Sequence, residues 1–329
     1  MGGFIDIHHH FFPPELDKAK ASANSGWRTP EENLPWTPEL SIRTMNSMGI
    51  QASILSFPAF PSGEVSAENR ALARSKNDYV ANICRQYPAR FGFFATLPFL
   101  DDVQGVLKEI AYALDTIGAD GISISSSYGE GASSSYAGDP KYEPIWAELN
   151  RRQAVVFLHG NQMPSSVPWP HPTLGLPVCE VPNETFKAAA HLVVTGRKRQ
   201  YPNVKIILAH LGGSTPFLAP RVAVLSRHMG CQLSIDEILE DFSTFYYDTA
   251  LSSWGPNLLA LQSFVPKNQI LFGTDFPAVS ARMLGWYTQQ LENHYGAEMQ
   301  DPLMAIVRHN ALKIFPRLRE RISIFNHLE

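Results

Sequence analysis

Four histidines and one aspartate raise the question of function. His8 and His10 lie two residues apart in FIDIHHHFF, His159 in VVFLHGN, His210 in IILAHLGG and Asp275 in LFGTDFP. Each follows a short apolar run. In an extended chain residues i and i+2 share a face, so His8 and His10 point one way and His9 the other. Imidazole nitrogens with a carboxylate oxygen suit Zn²⁺, and also Mn²⁺ or Fe²⁺. Three neutral imidazoles and one carboxylate leave a divalent ion partly uncompensated. One or two positions then stay open to bind an anionic oxygen or acidify a water. Taken singly, a histidine after a strand reads as a hydrogen-bonded core residue, and Asp275 before Phe-Pro as a helix N-cap. The recurrence of one pattern in four separate segments points to a metal instead. The histidine triplet is too short for a purification tag and runs into aromatics rather than a polar linker.

Such a cluster needs a scaffold that brings positions 8 and 275 together. Short apolar runs, bounded by Gly, Pro or Asn, recur at 4–7, 51–56, 91–96, 121–125, 154–158, 204–209, 245–249 and 269–273. Helical patterns are expected between most of them. Thr37 caps one, with Pro38 in its first turn. Others are expected at 67–87, 102–117, 142–151, 183–195, 216–227, 256–264 and 281–294, with a last one at 301–315. Nearly continuous apolar strands suit a parallel sheet covered on both faces. Eight alternations predict an α/β fold, a single (β/α)8 TIM barrel spanning 1–329, with a doubly wound open sheet as the alternative. All five candidate ligands then fall at carboxyl ends of strands, the face where barrel enzymes keep their chemistry. The loops 11–36 and 159–182, rich in proline, follow strand ends and are expected over that face.

The bulk composition is that of a globular protein, 44% hydrophobic and 18% charged, with a net charge of −4. No basic run exceeds the RKR at 197–199, which argues against nucleic acid or an anionic membrane as partner. Cys84, Cys179 and Cys231 are widely spaced and lack a CxxC pattern, as in a reducing compartment. No signal peptide or membrane-length apolar run is evident, so a cytosolic location is expected.

FIDIHHH, FLHG, ILAHLGG and LFGTDFP resemble the amidohydrolase superfamily of metal-dependent barrels. Within it, the chain resembles the branch containing aminocarboxymuconate-semialdehyde decarboxylase and the salicylate-type decarboxylases. WTPELSIRTMNSMGIQASILS and AHLGGSTPFLAPR are most similar to the 6-methylsalicylate decarboxylases. The likeness extends over nearly the whole chain. It implies a metal held by His8, His10, His159 and Asp275, with His210 as a catalytic residue beside it. Two-metal amidohydrolases often carry a bridging Lys after strand four; here that region reads GISISSSYGEGA. One divalent ion is therefore expected, Zn²⁺ first and Mn²⁺ as the alternative.

The resemblance further implies decarboxylation of a small hydroxylated aromatic acid, with 6-methylsalicylate giving 3-methylphenol and CO₂ as the expected reaction. The proton donor is His210 or Asp275, His210 being favoured because a general acid works best with a pKa near the working pH. A lactone or amide hydrolase using the same site is the alternative, and a barrel retaining its metal only as a brace is the non-catalytic rival. Arg43 and Arg221 match arginines that bind substrate carboxylate, the later one across a subunit boundary, which implies a homodimer; otherwise they are surface ion pairs. Phe11, Phe12, Trp36, Phe57, Phe60, Trp169, Trp254 and Phe276 fall in or beside strand-end loops. Phe57 and Trp36 are the foremost candidates among them for walls around a flat ring. The Gly- and Ser-rich run 125–140 reads as a lid or a polar connection.

Overall fold

The computed structural model describes residues 3–161, 170–296 and 299–326. Eight parallel strands occur in barrel order: β1 (Phe4–His10), β2 (Ile50–Ser56), β3 (Phe91–Thr96), β4 (Gly121–Ser125), β7 (Val155–His159), β8 (Lys205–Leu208), β9 (Tyr246–Asp248) and β10 (Ile270–Leu271). Backbone bonds from Ile7 N to Phe272 O (3.0 Å) and His10 N to Phe276 O (2.7 Å) join the last strand to the first. β5 (Ser127–Tyr128) and β6 (Ser135–Tyr136) form a separate antiparallel ribbon, so the run 125–140 is anchored structure rather than a loose connection. Glu184 holds it, accepting from Ser126 Oγ at 3.3 Å and Tyr136 OH at 3.2 Å.

The strands are apolar on both faces because each face has its own core. Ile5, Ile7, Ala52, Ile54, Phe94, Val155, Phe157, Ile207 and Leu271 fill the barrel interior, closed from below by Ile314, Phe315 and Leu318 near the C-terminus. Residues of the opposite parity, such as Phe93, Ile124, Val156 and Leu208, pack outward against the helices. Those helices are α2 (Pro38–Ser47), α3 (Ala67–Gln86), α4 (Val103–Ala111), α5 (Glu143–Arg151), α6 (Leu176–Val194), α7 (Arg197–Gln200), α8 (Thr215–His228), α9 (Ile235–Ser243), α10 (Gly255–Gln262) and α11 (Ala281–Tyr295). Thr37 caps α2 by accepting from Leu40 N at 3.1 Å. Among the described residues no helix is long and apolar enough to cross a membrane.

Both long loops differ from the expectation. The first contains α1 (Lys18–Asn24) and a 3-10 turn at Glu31–Asn33. The second ends at Gly175, because α6 starts at Leu176 and runs through Pro182. Residues 162–169, with Trp169, lie outside the described residues. Gly213, at φ +59°, shows why a small residue stands after β8: an added Cβ would lie 1.8 Å from Pro182 O of α6.

Candidate metal centre

One irregularity in β1 decides which histidines face the barrel axis. Strict alternation from Ile5 and Ile7 would send His9 inward. The pairing with β2 shifts between Asp6, opposite Ser53, and His9, opposite Leu55, so β1 carries one extra residue there. Such a bulge reverses the parity of the residues beyond it. Asp6 holds the bulge. Its Oδ1 accepts from His8 N and Thr274 N at 3.1 Å, and its Oδ2 from Thr274 Oγ1 at 2.7 Å. His9 is thereby turned to the wall, with Nδ1 2.9 Å from Asp6 Oδ2 and Nε2 2.9 Å from Ser41 Oγ. His159 needs no such device, since it continues the inward parity of Phe157.

The five residues named from the sequence meet at the carboxyl end of the barrel, each less than a tenth exposed. His8 Nε2 lies 3.2 Å from His10 Nε2 and 3.4 Å from Asp275 Oδ1, and His10 Nε2 lies 3.1 Å from the same oxygen. Ligand atoms ~2.0–2.1 Å from a common ion stand roughly 3.0–3.4 Å apart, so these separations match a shared coordination sphere. His159 groups with His8 and His10 within ligand range, and His210 with His8 and Asp275. Each inner imidazole has its Nδ1 engaged from behind: His8 by Asp248 Oδ2 (3.0 Å), His10 by Ser56 Oγ (2.9 Å), His159 by Gly160 O (2.9 Å) and His210 by Ala250 O (3.0 Å). With Nδ1–H donating outward, the Nε2 lone pairs of His8, His10 and His159 are free to face inward, the tautomer that metal ligation requires, and His210 Nε2 is left available to carry a proton. Gly273 makes room for this packing, since a Cβ there would meet His8 Cβ at 2.8 Å.

His210 and Asp275 also have left-handed backbone, at φ +57° and +66°. Neighbours hold both: His210 N donates to Asp248 Oδ1 at 3.1 Å, and Asp275 N to His8 O at 2.7 Å. Non-glycine residues in that region cost of order 1–3 kcal/mol each and cluster at working sites.

Electron-rich atoms packed this closely demand positive charge, and the pKa directions register it. Burial opposes a charge on His8, yet Asp248 and Asp275 outweigh it and push its pKa up to about 10. Burial holds His10 below its ordinary value. Burial, with the charges on His210, His8 and His10, holds His159 well below it. Burial favours the neutral form of Asp275, but His8 and His10 override it and keep the carboxyl well below the usual carboxylate range. Without an ion the cradle therefore carries a proton on His8. A divalent cation displaces that proton, so its affinity rises with pH. The folded pKa of His8 is raised, so the proton's contribution to stability is complete below about 6.5 and fades as pH rises toward about 10. The gain in Tm on adding metal to stripped protein is expected to widen from pH 6.5 to about 9; a gain that narrows would count against this ligand set.

A cavity of about 320 Å³ opens above the cradle, with His10, His159, His210 and Asp275 at one end. Of the aromatic candidates, Phe12, Phe57 and Phe60 line it, joined by Trp27 from the first loop. Trp36 does not: it is 5% exposed, and its Nε1 donates to Ser41 Oγ at 2.9 Å beneath Phe11. Phe11 and Phe276 are core, and Trp254 stacks on Trp286 at the surface. Arg43 and Arg221 do not reach the cavity either. α2 buries Ser41 and Met45, and α8 buries Ala219 and Ala223. An arginine two positions past the first of each pair stands about 200° around the helix, facing solvent. Asp248 is the functional residue that sequence reasoning missed; its signal was an acid at the end of the apolar run FYYDT, the same placement that marked Asp275.

Residues 5–317 match the amidohydrolase family. The chain is 39% identical to a 6-methylsalicylic acid decarboxylase of Aspergillus aculeatus over 329 residues, covering 96% of each chain. A 2,6-dihydroxybenzoate decarboxylase solved with 2,6-dihydroxybenzoate superposes with a TM-score of 0.80 at 25% identity, over 96% of this chain and 100% of that one. A dihydroxybenzoic acid decarboxylase from Polaromonas, with bound manganese and 2-nitroresorcinol, also gives 0.80, at 24% identity over 96% and 97%.

Proposed function

The chain belongs to the amidohydrolase family, and on that premise we propose that it is a metal-dependent decarboxylase of a small hydroxylated aromatic acid, with 6-methylsalicylate as substrate and 3-methylphenol and CO₂ as products. The observation that carries this reading is the inward-facing cradle of His8, His10, His159 and Asp275 at the foot of an aromatic-walled cavity. The relatives supply the substrate class: a 6-methylsalicylic acid decarboxylase at 39% identity. A divalent ion held by His8, His10, His159 and Asp275, Zn²⁺ or else Mn²⁺, would supply positive charge for an anionic oxygen of the substrate and for the charge that develops on the ring.

The chain's own residues account for the rest. Phe12, Phe57 and Phe60 hold a flat ring and exclude water. His210, its Nδ1–H directed at the Ala250 carbonyl, acts as an imidazolium: it carries a second proton on Nε2, faces the cavity, and delivers that proton to the ring carbon that bears the carboxylate, becoming the neutral ring. The bond to the carboxylate then breaks, its electron pair restores the aromatic ring, and CO₂ leaves. Asp275 is the poorer donor, because the imidazoles beside it keep it ionised. We take the chain as one domain. A homodimer fits the outward face of α8, where Arg221 stands beside Phe217, Val224 and Leu225, all well exposed.

The test is to incubate metal-loaded protein with 6-methylsalicylate and follow 3-methylphenol and CO₂, then repeat after chelation. Turnover is expected, lost on stripping and restored by the ion. Hydrolysis of lactones or amides without turnover of any salicylate would overturn the reading.

A further inference from the structure

Lys18 stands in the first turn of α1, beside its cap Asp17. Its side chain enters the cavity, with Nζ 4.3 Å from the centre of the Phe12 ring. Among the described residues it is the one lysine or arginine on the cavity wall. Two costs attach to that position. The first turn of a helix carries partial positive charge, which a cation opposes. The walls are largely apolar, and burial pushes the ammonium pKa down, with Asp275 acting in the other direction. A cation so placed ordinarily has a carboxylate beside it. Here the adjacent acids are committed elsewhere. Glu15 Oε1 accepts from Lys76 Nζ at 3.0 Å, and Asp17 Oδ1 accepts from Lys20 N at 3.0 Å. Among the described residues no carboxylate lies within ion-pair distance of Lys18; its ammonium rests over the Phe12 ring and feels Asp275 from farther off.

We propose that Lys18 is a substrate-binding residue whose ammonium takes the carboxylate of the aromatic acid. The ligand class rests on the decarboxylase reading above. The cavity then presents two positive groups, the ion-binding cradle and Lys18, on a largely apolar wall. That arrangement suits a flat ring carrying two anionic oxygen groups. The Phe12 face steadies the ammonium while leaving its N–H bonds free for carboxylate oxygens. Lys18 comes from this chain's own first loop, whereas Arg43 and Arg221 stand outside this chain's cavity. The phenolic product lacks a carboxylate, so Lys18 also favours substrate over product.

The experiment compares metal-loaded wild type with Lys18→Met and Lys18→Arg. Binding of 6-methylsalicylate and of 3-methylphenol is read from the fluorescence of Trp27, which lines the same cavity, and steady-state kinetics are run alongside. Losing a charge-assisted contact is expected to weaken the acid about 10- to 100-fold in Lys18→Met. The phenol should bind as in wild type, KM should rise more than kcat falls, and Lys18→Arg should recover most of the loss. Metal content confirms that each variant retains the cradle. Equal weakening of acid and phenol assigns Lys18 to wall packing and overturns the proposal, as does no weakening of either. The two readings fail separately. A protein that binds benzoates in a Lys18-dependent way but turns none over sinks the decarboxylase assignment alone, whereas full turnover in Lys18→Met sinks this inference alone.

Discussion

Replacing His210 with alanine is expected to lower kcat about 10²- to 10⁴-fold, the range for losing a positioned general acid, while metal content stays near one ion per chain. Geometry is the reason. The three mutual separations of 3.1–3.4 Å in the cradle involve only His8, His10 and Asp275, and His159 is the fourth ligand of the proposed set. His210 stands within ligand range of the same centre, but its ring is fixed by the Ala250 carbonyl and its amide by Asp248. Its removal therefore leaves the cradle's own supports in place. Two measurements are needed, metal analysis after gel filtration and single-turnover rate with 6-methylsalicylate. Loss of the ion together with activity would show His210 to be a ligand. Retained activity would move the proton donor to Asp275.

Asp248→Asn is expected to weaken metal binding about 10- to 100-fold, the usual cost of disturbing a residue that orients a ligand. Asp248 is fully buried and serves three groups: His8 Nδ1 at 3.0 Å, His210 N at 3.1 Å and Ala250 N at 2.9 Å. An asparagine keeps the shape, and its oxygen can still accept from the two backbone amides. Its NH₂ then faces His8 Nδ1, so His8 must give up the Nδ1 proton and carry it on Nε2. That proton points at the ion's place. The variant should fold, because the backbone contacts survive, and it should need more metal for half-maximal activity. Titration against a chelator of known affinity measures the shift. An unchanged metal affinity would mean that the carboxylate does not set the His8 tautomer.

These two expectations differ in how far the sequence reached. His210 was legible because it repeats a pattern, a polar residue directly after an apolar strand. Asp248 shares that pattern, but FYYDT has an ordinary look and its partner is 240 residues away. Lys18 was not legible at all. It lies in a proline-rich loop read as irregular, where the short helix α1 turns it inward. The arginines are a different case. Family likeness marked their positions, but within this chain the buried stripes of α2 and α8 lie on the other sides of those helices, so Arg43 and Arg221 face solvent.

The eight strands and their alternation with helices come from the sequence alone, because apolar runs of strand length between helical patterns bury both faces in a covered parallel sheet; closure of that sheet into a barrel, rather than the open doubly wound sheet, is what brings the five distant side chains together. The sequence also named His8 and His10 as the inward pair, by a local i, i+2 rule that ignored what preceded them. Continued from Ile5 and Ile7, that same alternation selects His9 instead. The bulge at Asp6 decides the matter, and Thr274, from a distant part of the chain, holds that carboxylate in the closed barrel. Side-chain parity is a property of local backbone geometry. A one-residue shift that reverses it depends on contacts no stretch of sequence contains by itself.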